Sequence, residues 1–332
     1  MGLHWLDIDM ARFIELIRLL FNKTKNLSRF VILSFFGTLF AILLLYFPIG
    51  MLVIHKIDDD IDFIANNKFD IEGGSHTVAI TGALIEREVL QNHWTPNDPF
   101  FYPSHYLTRM PAFQRGVISA LSRFAVELSD QIGRSRGSSQ IDTDLEKAAG
   151  LMKYSPNVWV FDFSTSLLPT TSSEEQYISA MKLIGKYNER LAKGQAVFDK
   201  RADNLMETID RIGTDLGSSS AIIDSHISKF SSNFIDTSAS DIFYSVKGRM
   251  YVDYLLMREL KRDFADLIKE KQLDNAWDNT LASLKEGAMI NHFIVFNGNV
   301  SSQFLPNHLA VQGFYLMRSR MQLREIANIL LK

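Results

Sequence analysis

An uncharged run of 25 residues, FVILSFFGTLFAILLLYFPIGMLVI from Phe30 to Ile54, constrains this chain more than any other feature. As one helix it extends roughly 37 Å, against a hydrocarbon core of about 30 Å, so it crosses a bilayer with a modest tilt or a kink at Pro48 and Gly50. A buried core helix is rarely apolar on every face over that length. A signal peptide has a shorter apolar core that ends in a small-residue cleavage site, whereas this run gives way to His55, Lys56, Ile57 and Asp58. A single transmembrane helix is the expectation.

Its direction follows from the flanking charges, because Lys and Arg are retained on the cytoplasmic side. Lys23, Lys25 and Arg29 precede the run closely, while Asp58, Asp59, Asp60 and Asp62 follow it. The N-terminus is therefore expected in the cytoplasm and the 278 residues from His55 to Lys332 outside it; for a bacterial chain that means an inner-membrane span and a periplasmic domain. Upstream, Leu3, Leu6, Met10, Phe13, Ile14, Ile17, Leu20 and Phe21 fall on one helical stripe. That pattern suits an amphipathic cytoplasmic arm over residues 1–29 lying in the membrane interface, or a partner helix. The remaining divisions are a stalk at 55–75, whose acids read as a solvated face, and a helical domain at 76–332 with a sub-boundary near 165–172.

The chain has no cysteine, which removes disulfides, thiolate metal sites and thiol nucleophiles. A net charge of -3 supplies no basic footprint for nucleic acid. Within the domain, Thr77 to Thr81 is β-prone and Ala83 to Asn92 reads as helix. Val158 to Phe163, VWVFDF, is the strongest strand candidate. Helices are expected from Pro111 to Ile132, from Asp142 or Thr143 to Leu151, and from Ser172 to a stop at Gly194. Phe198, Ala202, Leu205, Ile209, Ile212 and Leu216 form a heptad seam for an intramolecular helical hairpin. The Ser-rich stretch Ser231 to Ser240 then precedes helices near 246–271, 273–288 and 308–331. The fold class is mainly α, with the single N-terminal span followed by a helical extracytoplasmic domain carrying a few short strands.

No cluster specifies a chemistry. The eight His lack an HExxH or HxH pair, so no metal and no cofactor is expected. Ser179 to Lys182, Ser231 to Asn233 and Lys285 to Gly287 match the SxxK, SxN and KxG order of penicillin-binding enzymes, but in helical surroundings that this chemistry does not use. Glu174 with Glu175 and Asp142 with Asp144 are adjacent acids at helix starts, where they complement the helix dipole. The loop from Arg134 to Arg136 within GRSRGSSQ is a candidate for holding a phosphate or an acidic partner.

The best interaction candidate is the irregular stretch HWTPNDPFFYPSHYLTRMP, His93 to Pro111, which holds four of the eight prolines. Trp94, Phe100, Phe101, Tyr102, Tyr106 and Arg109 are residue types favoured at protein interfaces, on a segment that cannot be a regular helix or a central strand.

Several blocks, WTPNDPFFYPSHYLTRMPAFQRGV, GRSRGSSQIDTDLEKA, FDKRADNLMETIDRIGTDLGS, DIFYSVKGRMYVDYLL and NHLAVQGFYLMRSR, together resemble the DUF2333 family of proteobacterial inner-membrane proteins, a domain of unknown function. The resemblance runs from about Val53 to Leu331 and departs from the family pattern in the long arm Met1 to Arg29 and in a shorter Ser-rich linker. It implies a single-pass inner-membrane protein with a mostly helical periplasmic domain, and brings no activity or catalytic residue. The expected function is a non-catalytic membrane-anchored scaffold or assembly component of an envelope complex, with the lipid bilayer and other envelope proteins, or a second copy, as partners. The alternatives are a periplasmic enzyme or ligand-binding protein acting on envelope substrates, with His93, Asp98, His105 or Arg109 at a pocket, and a component of a secretion or motility apparatus.

Overall fold

The structure is a computed structural model that describes residues 4–133, 141–161, 168–230, 236–299 and 305–332. The chain divides into two units, Met1–Val53 and Ile54–Lys332. The first is the helix α1, His4–Ile54, which meets no Gly or Pro between Leu3 and Phe36, where arm joins span, and then continues through Gly37, Pro48 and Gly50. Arm and span therefore form one helix, whose portion Arg29–Ile54 is long and apolar enough to cross a membrane.

The second unit contains α2 (His76–Glu86), α3 (Arg109–Glu127), α4 (Thr143–Met152), α5 (Ser173–Ala192), α6 (Ala202–Phe230), α7 (Thr237–Asp263), α8 (Ala265–Glu270), α9 (Asp274–Met289) and α10 (His308–Leu330). Helix α7 is its axis. Phe243, Tyr244, Lys247, Met250, Tyr251, Leu255 and Leu260 are all buried, so every face of α7 is covered, with α3, α9 and α2 as its main neighbours. The crossing with α3 is close because each helix offers a glycine to the other's backbone. A Cβ at Gly116 would lie 2.0 Å from the Ser245 carbonyl oxygen, and one at Gly248 would lie 2.3 Å from that of Phe113.

Several expectations from the residues are corrected here. Thr77 to Thr81 is helical. Its β-branched residues favour strands locally, but Ser75 accepts from the Val78 N–H and the buried Asp263 carboxylate accepts from the Thr77 and His76 N–H groups and from the hydroxyls of Ser75 and Thr77. A carboxylate at a helix N-terminus is favoured by the dipole, and this one joins the end of α7 to the start of α2. Val158 to Phe161, the described part of the strand candidate, forms no ladder; its carbonyls at Val158 and Val160 accept instead from Ser173 and Thr170. Among the described residues the only β pairing is an isolated bridge between Asn297 and Asn307. The heptad seam of α6 packs against α10, more than a hundred residues away, rather than against a sequential neighbour. Ser172 and Gly194 do bound α5.

The stalk is the largest difference. Residues 55–72 are not helical and lie on the domain. Asp59 meets the Nζ of Lys247 at 2.6 Å, Tyr251 donates to the Asp60 carbonyl at 2.7 Å, and Arg258 donates to the carbonyls of Ile61 and Phe63 at 2.8 and 2.6 Å. Arg87, itself buried, reaches Asp58 at 3.4 Å and stacks over the Phe63 ring. The acids next to the span are thus spent on domain cations, and the segment is a strap.

Candidate functional site

The loop from His93 to Thr108 is fixed from beneath by three polar side chains. Gln114, wholly buried on α3, accepts from the N–H and hydroxyl of Thr95 and donates to the carbonyls of Glu88 and His93. Asn97 donates to the Val158 carbonyl and to Glu174 at 2.8 and 2.6 Å. Asp98 accepts from the Ser104 hydroxyl and faces His93 Nε2 at 3.1 Å, while its carbonyl meets His105 Nδ1 at 2.8 Å. His93 carries a φ of 58°, a left-handed conformation that non-glycine residues adopt at a cost and that this network offsets.

These bonds also answer what His93, Asp98, Ser104 and His105 can do. In a nucleophilic triad the imidazole stands between hydroxyl and carboxylate, whereas here Ser104 donates directly to Asp98 and His93 approaches the same carboxylate from the other side. The hydrogen bond to Asp98 raises the His93 pKa, with burial opposing it. No described imidazole meets the Ser104 hydroxyl, whose hydrogen bond goes to Asp98, and these bonds tie positions 93, 98, 104 and 105 of the loop together. Among the described residues no three His, Asp or Glu side chains converge to hold a metal ion.

The six aromatic and basic residues singled out in this loop separate into three groups. Trp94 belongs to the core: its Nε1 donates to the Pro156 carbonyl at 3.1 Å, and its ring meets Tyr177 edge-on at 5.3 Å. Phe100, Phe101 and Tyr102 come together at the surface, with centroids 5.4 and 5.2 Å apart along the chain. Phe100 is 69% exposed. Tyr106 is exposed beside His105, and Arg109 lies over Phe293 at 4.8 Å and near Tyr244. Arg134 and Arg136 lie outside the described residues.

Two rings that the sequence reading missed extend the surface. Trp159 meets Phe101 edge-on at 5.8 Å and Phe161 at 5.4 Å, so five rings from two irregular segments form one aromatic surface. The signal for them was the aromatic density of VWVFDF itself, which period-two alternation assigned to a strand. Rings locked edge to edge on a braced loop lose little freedom when covered, which is what a binding surface requires.

Residues 70–240, a little over half of the chain, match the DUF2333 family, described as an uncharacterized protein conserved in bacteria. No curated protein and no solved structure matches the chain.

Proposed function

The chain belongs to the DUF2333 family, and we propose that within it this protein is a membrane-anchored, non-catalytic docking component of the bacterial cell envelope. In this reading Phe30 to Ile54 spans the inner membrane, the N-terminus is cytoplasmic, and the second unit lies in the periplasm, where it holds another envelope protein. The aromatic surface of Phe100, Phe101, Tyr102, Trp159 and Phe161 carries the proposal, because aromatic anchors surrounded by polar residues supply most of the energy at protein interfaces. Lys23, Lys25 and Arg29 support the orientation. The engagement of Asp58 and Asp59 with the domain does not weaken it, since acids count for little in the positive-inside rule.

The test is a photo-crosslinking amino acid placed at position 100 in the full chain in its membrane, with position 321 on α10, also exposed, as the control. The expected result is a discrete protein adduct from position 100 that disappears when Phe101 and Tyr102 are both changed to Ala, with an unaltered melting temperature. Adducts to lipid alone, or a protein adduct indifferent to the two substitutions, would overturn the docking role of this surface. A periplasm-dependent reporter fused after Lys332 should be active; silence would overturn the orientation.

A further inference from the structure

A cleft of about 420 Å³ opens between α3 and α7, closed at one end by residues 152–156. Its charged lining is Arg115 and Arg123 from α3, Arg249 from α7 and Lys153 at the end of α4, and among the described residues no carboxylate lines it. The spacing explains the convergence: 115, 119, 122 and 123 share one face of α3, and 245 with 249 share one face of α7. Ser119, Ser122 and Ser245 add hydroxyls between the cations, while Ile118, Met152 and Tyr177 add apolar surface.

Each arginine is held by one nitrogen of its fork, and among the described residues the other terminal nitrogen has no hydrogen-bond or ion-pair partner. Arg115 is paired with Asp241, and Arg123 lies 3.3 Å from Asp215. Arg249 donates to the Ser219 hydroxyl at 3.3 Å, and its Nε is buried with no hydrogen-bond partner among the described residues. The carboxylates behind Arg123 and Arg249 are Asp215 and Asp253, in the narrow space that α3 shares with α6 and α7. Burial pushes both upward in pKa, Asp253 well above the usual range with Asp215 adding to the effect, so they return less negative charge to the cleft than two ordinary carboxylates.

From this geometry we propose that the cleft binds an organic phosphate, its phosphate oxygens taken by Arg115, Arg123, Arg249 and Lys153 and its organic part lying on Ile118, Met152 and Tyr177. Guanidinium forks converging with hydroxyls from several directions suit a tetrahedral group with three acceptor oxygens better than a planar carboxylate. The volume exceeds what inorganic phosphate fills, which is why an ester is the preferred ligand. A soluble phosphate monoester offers all three acceptor oxygens and a phospholipid headgroup, a diester, two of them, so both present phosphate oxygens to the cations and the experiment separates the two sources. The inference is independent of the aromatic surface, although Trp94 supports the cleft wall through Pro156 and Tyr177.

The experiment uses the full chain in nanodiscs of a zwitterionic lipid, titrated with glycerol phosphate and with inorganic phosphate while the melting temperature and the heat of binding are followed. Saturable binding of glycerol phosphate is expected, weakened at least tenfold by Arg249→Gln and several-fold by Lys153→Ala. Lys153 is exposed, so its variant keeps the fold even if Arg249→Gln does not. Discs containing phosphatidylglycerol separate the sources: a headgroup ligand would occupy the cleft in these discs and abolish the response to added glycerol phosphate, whereas an undiminished response identifies the soluble ester. Binding no stronger than that of chloride at equal ionic strength in both disc types, or binding unchanged by Lys153→Ala together with Arg123→Gln, would overturn the proposal.

Discussion

Helix α7 carries cations on two opposite faces, and they meet different fates. Lys247, Tyr251 and Arg258 lie within about 40° of one another around the helix, and all three are satisfied by the strap: Asp59 for the lysine, the Asp60 carbonyl for the tyrosine, the carbonyls of Ile61 and Phe63 for the arginine. Ser245 and Arg249 point the other way, into the cleft, whose described lining holds no carboxylate, the acids Asp215, Asp241 and Asp253 lying behind its arginines. The residue types and their helical spacing are alike on the two faces. What differs is how the anion is presented: the strap brings Asp59 and its carbonyls into direct contact at 2.6 to 2.8 Å, whereas Asp215 and Asp253 behind the cleft are raised in pKa by burial and Asp215 reaches Arg123 only at 3.3 Å.

Both faces depend on the glycine crossing of α3 and α7, so the largest effect comes from breaking it. Gly248→Ala drives a methyl group against the Phe113 carbonyl, which belongs to helix backbone and cannot rotate away. Overpacking of this kind is expected to cost about 3 kcal/mol, lowering the melting temperature of the full chain by roughly 8 °C. It should also widen the cleft, so glycerol phosphate binding fails in the same variant. A melt within about 1 °C of the wild type would show that the two helices separate without penalty.

The comparison itself is tested next by Lys247→Met against Arg249→Met. Lys247 is 0% exposed and also donates to the Ile290 carbonyl at 2.8 Å, so its loss strands two acceptors. Asp59 remains 31% exposed and recovers part of its hydration, which reduces the expected cost to about 2 kcal/mol. Arg249→Met removes a cation with one long hydrogen bond and lets Asp253, already raised in pKa, take up a proton. Its cost should be less than half that of Lys247→Met, measured by denaturant unfolding under identical conditions. Equal losses would erase the distinction between the two faces.

Several elements were legible in the sequence because their signals are local. Ser172 and Gly194 bound α5 through caps formed by their immediate neighbours. The α6 seam was legible as a buried stripe at Leu205, Ile209, Ile212 and Leu216, but its partner α10 was not, because a heptad does not state which helix it faces. The strap was misread since Asp58 and Asp59 find Arg87 and Lys247 far along the chain, and acids beside a span look solvated without them. Trp94 shares the residue type expected of an interface but not the exposure, because its ring closes on Tyr177 in the core. The cleft was invisible for the same reason as the strap: Arg115, Arg123 and Arg249 read as ordinary solvated helix positions until two helices cross.

The strap side of α7 also contains a pair of stacked imidazoles. His292 and His308 stack in parallel at 3.6 Å, next to the carbonyl of His292 that accepts from Tyr244, and Phe296 donates its N–H to His308 Nδ1. Burial lowers both imidazole pKa values, with Lys247 adding to the effect on His292 and His292 adding to that on His308. Because the folded values lie below the unfolded value of about 6.5, the unfolded chain takes up protons first on acidification. The stabilisation is therefore complete above pH of about 6.5 and is lost as pH falls toward the folded values. His93 shifts the opposite way, so the comparison is made against His308→Gln: the advantage of the wild type in melting temperature should shrink between about pH 7 and pH 5. An advantage that stays constant or grows would refute the assignment.

The smallest effect on stability is expected from Arg123→Gln. Its side chain is 61% exposed and its pair with Asp215 is 3.3 Å long, a geometry that contributes no more than about 0.5 kcal/mol. Burial lowers the pKa of the neighbouring Arg249, and Arg123 adds to that lowering as one cation repelling another. Removing it relieves that repulsion, so the melting temperature should stay level or rise slightly, the reverse of Lys247→Met. Added glycerol phosphate should then stabilise the wild type more than the variant, because the anion and the substitution relieve the same repulsion. A clear drop in stability without ligand would mean that Arg123 is held by the fold as Lys247 is, and that the cleft face is a second clasp whose anion already lies within the chain.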